Sequence, residues 1–72
     1  MDIRSLIVKA LRKKYEADIA AAYATLLVYF DNAVGIGEHP QHLEEMDKLV
    51  SAIEAAESKL SALNRHFNNT QI

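Results

Sequence analysis

The sequence predicts an all-α protein: a two-helix antiparallel hairpin that pairs with a second copy to form a four-helix bundle. Apolar residues recur at spacings of three and four in both halves of the chain, as on the buried face of a helix. The two Gly and the single Pro all fall between positions 35 and 40, so one turn divides the chain. With 72 residues and no Cys, a lone hairpin buries little apolar surface, and self-association is the remaining source of stability.

The first helix is predicted over about residues 3–31 of a single domain that covers residues 1–72. Asp2 can accept a hydrogen bond from a free amide of the first turn, and no helix breaker follows before Asn32. The apolar positions that share its inner seam are Val8, Leu11, Tyr15, Ile19, Ala22, Leu26 and Tyr29. We expect this seam to form half of the hairpin core.

A second apolar stripe lies about 100° round the same helix. Its members are Ala20, Tyr23, Leu27 and Phe30. One partner helix cannot cover both the seam and this stripe, so we predict that the stripe is an oligomer interface. A second copy of the chain is the expected occupant, and a foreign protein is the alternative.

The turn is predicted at residues 32–39 and the second helix at about residues 40–67. Asn32 or Gly35 can adopt the left-handed conformation that ends a helix, and Pro40 suits the first helical position because no amide hydrogen is needed there. The seam of the second helix recurs at spacings of three and four without a break. It consists of Met46, Leu49, Ile53, Ala56, Leu60, Leu63 and Phe67.

Three segments carry a resemblance to a known group of proteins. They are residues 34–40 (VGIGEHP), residues 43–49 (LEEMDKL) and the closing pair His66 and Phe67. Together they resemble small uncharacterised helical proteins of tailed bacteriophages, of the type that infects marine cyanobacteria. The resemblance implies an origin in an infected bacterial cytoplasm and brings no activity or binding residue with it.

Composition excludes several kinds of chemistry. The lack of Cys removes thiolate catalysis and zinc sites of the Cys type. Gly35 and Gly37 lack the preceding strand and the lysine of a phosphate-binding loop. The most apolar window, residues 19–30, is shorter than the roughly 20 residues that span a bilayer. We expect a cytoplasmic protein that is not an enzyme, needs no cofactor and does not enter a membrane.

Charge is divided between the two ends of the predicted hairpin. One end carries the bases Arg4, Lys9, Arg12, Lys13, Lys14, Lys59 and Arg65, and the other carries the acids Asp31, Glu38, Glu44, Glu45 and Asp47. The basic end could contact nucleic-acid phosphates, as helical hairpins of the Rop type do. The net charge of −2 disfavours that interpretation, and the division of charge favours an inverted copy of the same chain. We therefore predict an antiparallel homodimer and do not expect a nucleic-acid partner.

One cluster has the chemistry of metal ligands. His39, His42 and Glu45 stand at the start of the second helix, where two imidazoles and a carboxylate could meet a divalent ion. The alternative is a polar helix start in which acidic groups favour the helix dipole. The function we predict is a small self-associating helical interaction protein, an adaptor or modulator; a Rop-type nucleic-acid-binding hairpin and a metal-binding helical bundle are the alternatives.

Overall fold

The computed structural model describes residues 2–36 and 41–67. Over these residues the chain forms two α-helices, α1 (Ile3–Ile36) and α2 (Gln41–Phe67). The helices pack against each other along their length, and the hairpin measures 52 × 17 × 12 Å. The prediction of an all-α helical hairpin is confirmed.

Asp2 caps the start of α1. Its Oδ1 accepts a hydrogen bond from the backbone amide of Ser5 at 2.7 Å, and its carbonyl accepts the amide of Leu6 at 3.2 Å. The first helical amides have no partner within the helix, so the carboxylate satisfies one of them. The same hydrogen bond from Ser5 holds the pKa of the Asp2 carboxyl below its ordinary value of 3.8. The predicted cap is confirmed.

The end of α1 differs from the prediction. The helix continues through Asn32 to Ile36, five residues past its expected end at Asp31. None of these residues is proline, and a glycine inside a helix, such as Gly35, costs only about 1 kcal/mol relative to alanine. Each added residue also gains a backbone hydrogen bond, so the helix propagates through weak formers. The predicted turn at residues 32–39 is therefore wrong for 32–36, and residues 37–39 and Pro40 lie outside the described residues.

Side-chain contacts show that the helices run antiparallel. The residue numbers of each contacting pair add to between 71 and 76, so residue i of α1 lies beside α2 residue 73 − i to within a turn. The pairs are Arg4 with Phe67, Arg12 with Asn64, Tyr15 with Lys59, and Tyr29 with His42. This register places residues 6–32 of α1 at the level of a described residue of α2.

The core runs along the line where the two helices meet. The buried residues, each 4–8% exposed, are Val8, Ala22, Leu26, Ala56 and Leu63. The half-buried members of the seams are Leu11, Tyr15, Ile19, Tyr29, Met46, Leu49, Ile53 and Leu60. The structure thus places the seam positions along a single line, but buries few of them deeply.

Phe67 is the exception within the predicted hairpin core. Its side chain is 40% exposed. It is the last residue of α2 and lies at the open end of the hairpin, beside the first turn of α1, where the Arg4 guanidinium carbon is 6.0 Å from its ring centroid. Because α1 begins at Ile3, no further described turn of α1 covers the ring.

Candidate self-association surface

The predicted outer stripe is exposed on the hairpin. Tyr23 is 56% exposed, Leu27 is 43% exposed and Phe30 is 58% exposed, and Ala20 is also exposed. All four lie on α1 to one side of the buried seam, because each is about 100° round the helix from a seam residue. Nothing within the described hairpin buries these side chains.

Two residues of α2 extend the stripe into a patch. Leu43 is 76% exposed and Val50 is 52% exposed, and they share a face of α2 because they are seven residues apart. The hairpin register places Val50 beside position 23 of α1 and Leu43 beside position 30. All five large side chains therefore occupy the same half of the hairpin.

The hydrogen bond between Arg12 and Asn64 shows that the α1 stripe and the two α2 residues lie on the same flank of the hairpin. Arg12 and Phe30 are eighteen residues apart, which is five helical turns, and Asn64 is two heptads beyond Val50. The guanidinium Nη2 of Arg12 donates to Oδ1 of Asn64 at 3.2 Å, so these two faces lie on one side of the hairpin. We call Tyr23, Leu27, Phe30, Leu43 and Val50 the loop-half patch.

Leu43 and Val50 were not among the predicted interface residues. Their spacing of seven is visible in the sequence, but that spacing does not say which side of α2 faces the same direction as the α1 stripe. The register between the helices supplies this information.

The opposite flank has a different character. A shallow groove there is lined by small or polar side chains, including Ala21, Thr25, Ala52 and Ala55. The Thr25 hydroxyl donates to the carbonyl of Ala21 at 3.0 Å. Among the described residues between positions 20 and 54, this flank carries one large exposed apolar side chain, Val28, which is 58% exposed, so the two flanks are unlike.

The terminal end of that flank carries a second apolar feature. A groove of about 290 Å³ lies between Ile3, Ile7, Leu63 and Phe67. Ile7 lies eighteen residues, or five turns, before Thr25, and so lies on the same flank as Thr25. We call this feature the terminal groove, and Arg4 stands at its rim.

The charges divide the hairpin along its length. Residues 2–19 and 55–67, the terminal half, hold seven of the eight Lys and Arg residues and four of the ten Asp and Glu residues. Residues 20–54, the loop half, hold one base and six acids. The terminal half is thus net +3 and the loop half, which bears the patch, is net −5.

No protein-family model, curated protein or solved structure gave a match to the chain. The geometry described above is therefore the basis for a functional conclusion. Across the two described segments, neither helix combines the length and the apolarity that crossing a bilayer requires.

Most of the basic residues have partners within the hairpin. Lys14 pairs with Asp18 at 3.0 Å, and Arg65 Nε donates to the carbonyl of Ser61 at 3.4 Å. The Lys59 ammonium is 5.9 Å from the ring centroid of Tyr15. Arg4 and Arg12 contact α2 as described above. These contacts explain the bases as elements of a solvated helix surface, and they do not align them as a row of phosphate ligands.

The two described members of the metal-ligand cluster each contact another residue. The His42 ring lies edge-on to Tyr29, with ring centroids 5.8 Å apart. The Glu45 carboxylate accepts a hydrogen bond from the Lys48 ammonium at 3.3 Å. His39 lies outside the described residues. Within residues 2–36 and 41–67, no three His, Asp or Glu side chains come together as metal ligands.

Proposed function

We propose that the protein is a small self-associating interaction protein that pairs through its loop-half patch into a four-helix bundle. The observation that carries this proposal is the patch itself: five large apolar side chains, 43–76% exposed, on one flank and in one half of the hairpin. Contiguous apolar surface of this kind on a small protein is typical of a protein contact. Pairing would cover the patch of each copy with the patch of the other.

The total exposed area supports the same proposal. The chain exposes 5452 Å², whereas a compact monomer of its mass is expected to expose about 4,500 Å². The excess is close to the roughly 800 Å² that each partner contributes to a typical specific interface. A second copy would bring the exposed area per chain into the ordinary range.

In this role the bundle would act as an adaptor or modulator that presents helical surfaces to a host or viral protein. The resemblance of residues 34–40 and 43–49 to cyanophage proteins motivates the viral setting. Self-association comes first in this proposal, because it fixes which surfaces remain for a partner.

The experiment that tests the proposal compares Leu27→Glu with Val28→Glu. The two residues are adjacent, are 43% and 58% exposed, and point about 100° apart on α1. The unmodified protein and Val28→Glu should sediment as dimers, and Leu27→Glu as a monomer with undiminished helical circular dichroism. A monomeric unmodified protein would overturn the proposal. Dissociation by Val28→Glu alone would place the contact on another face.

A further inference from the structure

We infer that the two copies pack antiparallel and staggered, with the two-fold axis passing near position 25 of α1 instead of the hairpin midpoint. The inference rests on the proposed self-association and adds the register of the partner copy. In this arrangement α1 lies on the partner's α1, and α2 lies on the partner's α2. Apolar complementarity sets the register, and charge disfavours the parallel alternative.

The α1 stripe is complementary to an inverted copy of itself. Ala20 and Phe30 are equidistant from position 25, and so are Tyr23 and Leu27. An antiparallel pair of α1 helices centred there sets the small Ala20 side chain against the large Phe30 ring of the other copy. Large-against-small packing of this kind fills space between facing helices without voids.

The α2 residues are compatible with the same axis. The patch residue Val50 and the seam residue Met46, which is half-buried, are equidistant from position 48. The contacts within the hairpin place position 48 beside α1 residues 23–28. A single two-fold axis can thus serve both helices.

Full overlap of the two hairpins would not place the apolar side chains of one copy against those of the other. The midpoint of α1 lies between positions 19 and 20, so full overlap would set Leu27 opposite Arg12 and Phe30 opposite Lys9. Exposed ion pairs contribute only about 0–1 kcal/mol each, whereas burying one large apolar side chain contributes about 1.5–3 kcal/mol. The apolar contact is therefore the more stabilising one. To form it, one hairpin must shift along the other by about 16 Å relative to full overlap, at 1.5 Å per residue.

A parallel pairing would match the patches but would set the acids at equal levels. Asp31, Glu44 and Asp47 would then lie at the same level as the acids of the other copy, in the half that is net −5. In the staggered antiparallel pair, Asp31 would face Ile19 of the partner's α1 and Glu44 would face Ala52 of the partner's α2, and neither of these is charged. Asp47 lies one residue from the axis and would stay near its own copy. The charge division therefore favours the antiparallel arrangement by separating the copies of Asp31 and of Glu44, and it does not need the two charged ends to meet.

The stagger determines which surfaces remain for other proteins. The dimer would be about 16 Å longer than the single hairpin, which is 52 Å long. Its two tips would be the basic terminal ends, each with an uncovered terminal groove. The tips are then the exposed surfaces on which an adaptor could engage an acidic partner.

Spin labels on Lys9→Cys measure the register directly. Lys9 is exposed and outside the patch, and the chain has no other Cys. At 1.5 Å per residue, the axial separation of the two labels should be about 48 Å for the staggered pair, about 32 Å for full overlap, and near zero for a parallel pair. Double electron–electron resonance separates these three values.

The outcomes distinguish the inference from the proposed function. A distance near 48 Å supports the stagger. A distance near 32 Å, or a short one, overturns the register while leaving the dimer in place. A labelled protein that sediments as a monomer overturns the proposed function instead. An independent check is Ala20→Cys, which should form a disulfide with itself under full overlap and not in the staggered pair, because the stagger separates the two positions by about 15 Å.

Discussion

Leu26 and Leu27 are adjacent in the sequence and should respond differently to the same substitution. Leu26 is 8% exposed and lies in the hairpin core, whereas Leu27 is 43% exposed and lies in the loop-half patch. Leu26→Ala should therefore destabilise the hairpin itself. Leu27→Ala should weaken the contact between copies and leave the single hairpin nearly as stable as before.

The size of the effect follows from burial. Removing a buried leucine side chain costs about 2–5 kcal/mol, including the cavity that remains. The core of this hairpin is a single row of side chains between two helices, so the helices can move together and close part of that cavity. We therefore expect Leu26→Ala to lower the free energy of unfolding by about 2–3 kcal/mol. A domain of 72 residues has a total stability of about 4–11 kcal/mol. The melting temperature should fall by about 10–20 °C, since each kcal/mol shifts it by about 4–8 °C in a domain of this size.

The assay is urea unfolding followed by circular dichroism at several protein concentrations. Association stabilises the folded state by mass action, so the unfolding midpoint of a dimer rises with protein concentration. Leu26→Ala should lower the midpoint at every concentration and keep this dependence. Leu27→Ala should lower it mainly at high concentration and reduce the dependence.

Two results would refute this reasoning. Equal loss of stability for both variants at the lowest concentration would mean that Leu27 is as important to the hairpin core as Leu26. A midpoint of the unmodified protein that does not change with concentration would mean that the patch makes no contact between copies.

Three further predictions concern the core, the helix cap and the dimer. Leu60→Asp should unfold the protein while Ser58→Asp leaves its melting temperature almost unchanged, because only Leu60 lies in the seam and an unpaired charge there costs several kcal/mol. The pKa of Asp2 is lowered, so its contribution to stability is present above pH 3.8 and is lost as the pH falls through the lowered value. The variant Asp2→Asn keeps a hydrogen-bond acceptor but does not titrate. It should therefore remove that loss of stability in acid titrations followed by circular dichroism. Raising the salt concentration should weaken the dimer only modestly in sedimentation equilibrium, because salt screens exposed charges and leaves apolar contacts intact. A loss of affinity of several orders of magnitude would contradict the proposal that the apolar patch holds the dimer together.

The candidate surface was only partly predictable. The α1 stripe could be found from sequence because Tyr23, Leu27 and Phe30 lie at a fixed angle from the seam on the same helix. Leu43 and Val50 could not be joined to it, because they lie on another helix whose rotation and register relative to α1 are not encoded in local spacing. The stagger of the proposed dimer was hidden for the same reason, and the charge division alone favoured an inverted copy without giving its register.

The sequence by itself determined that the chain forms two helices, where α1 begins and which positions line the seam. Those features depend on residues within one or two turns of each other: the spacing of apolar residues, the Asp2 carboxylate beside the Ser5 amide, and the lack of breakers before residue 32. The end of α1 at Ile36 was missed because helix propagation outweighs weak local preferences. Tertiary structure decided the exposure of Phe67 and the joining of Leu43 and Val50 to the α1 stripe. Both depend on where one helix lies against the other, which pairs residues 13 to 63 positions apart in the chain.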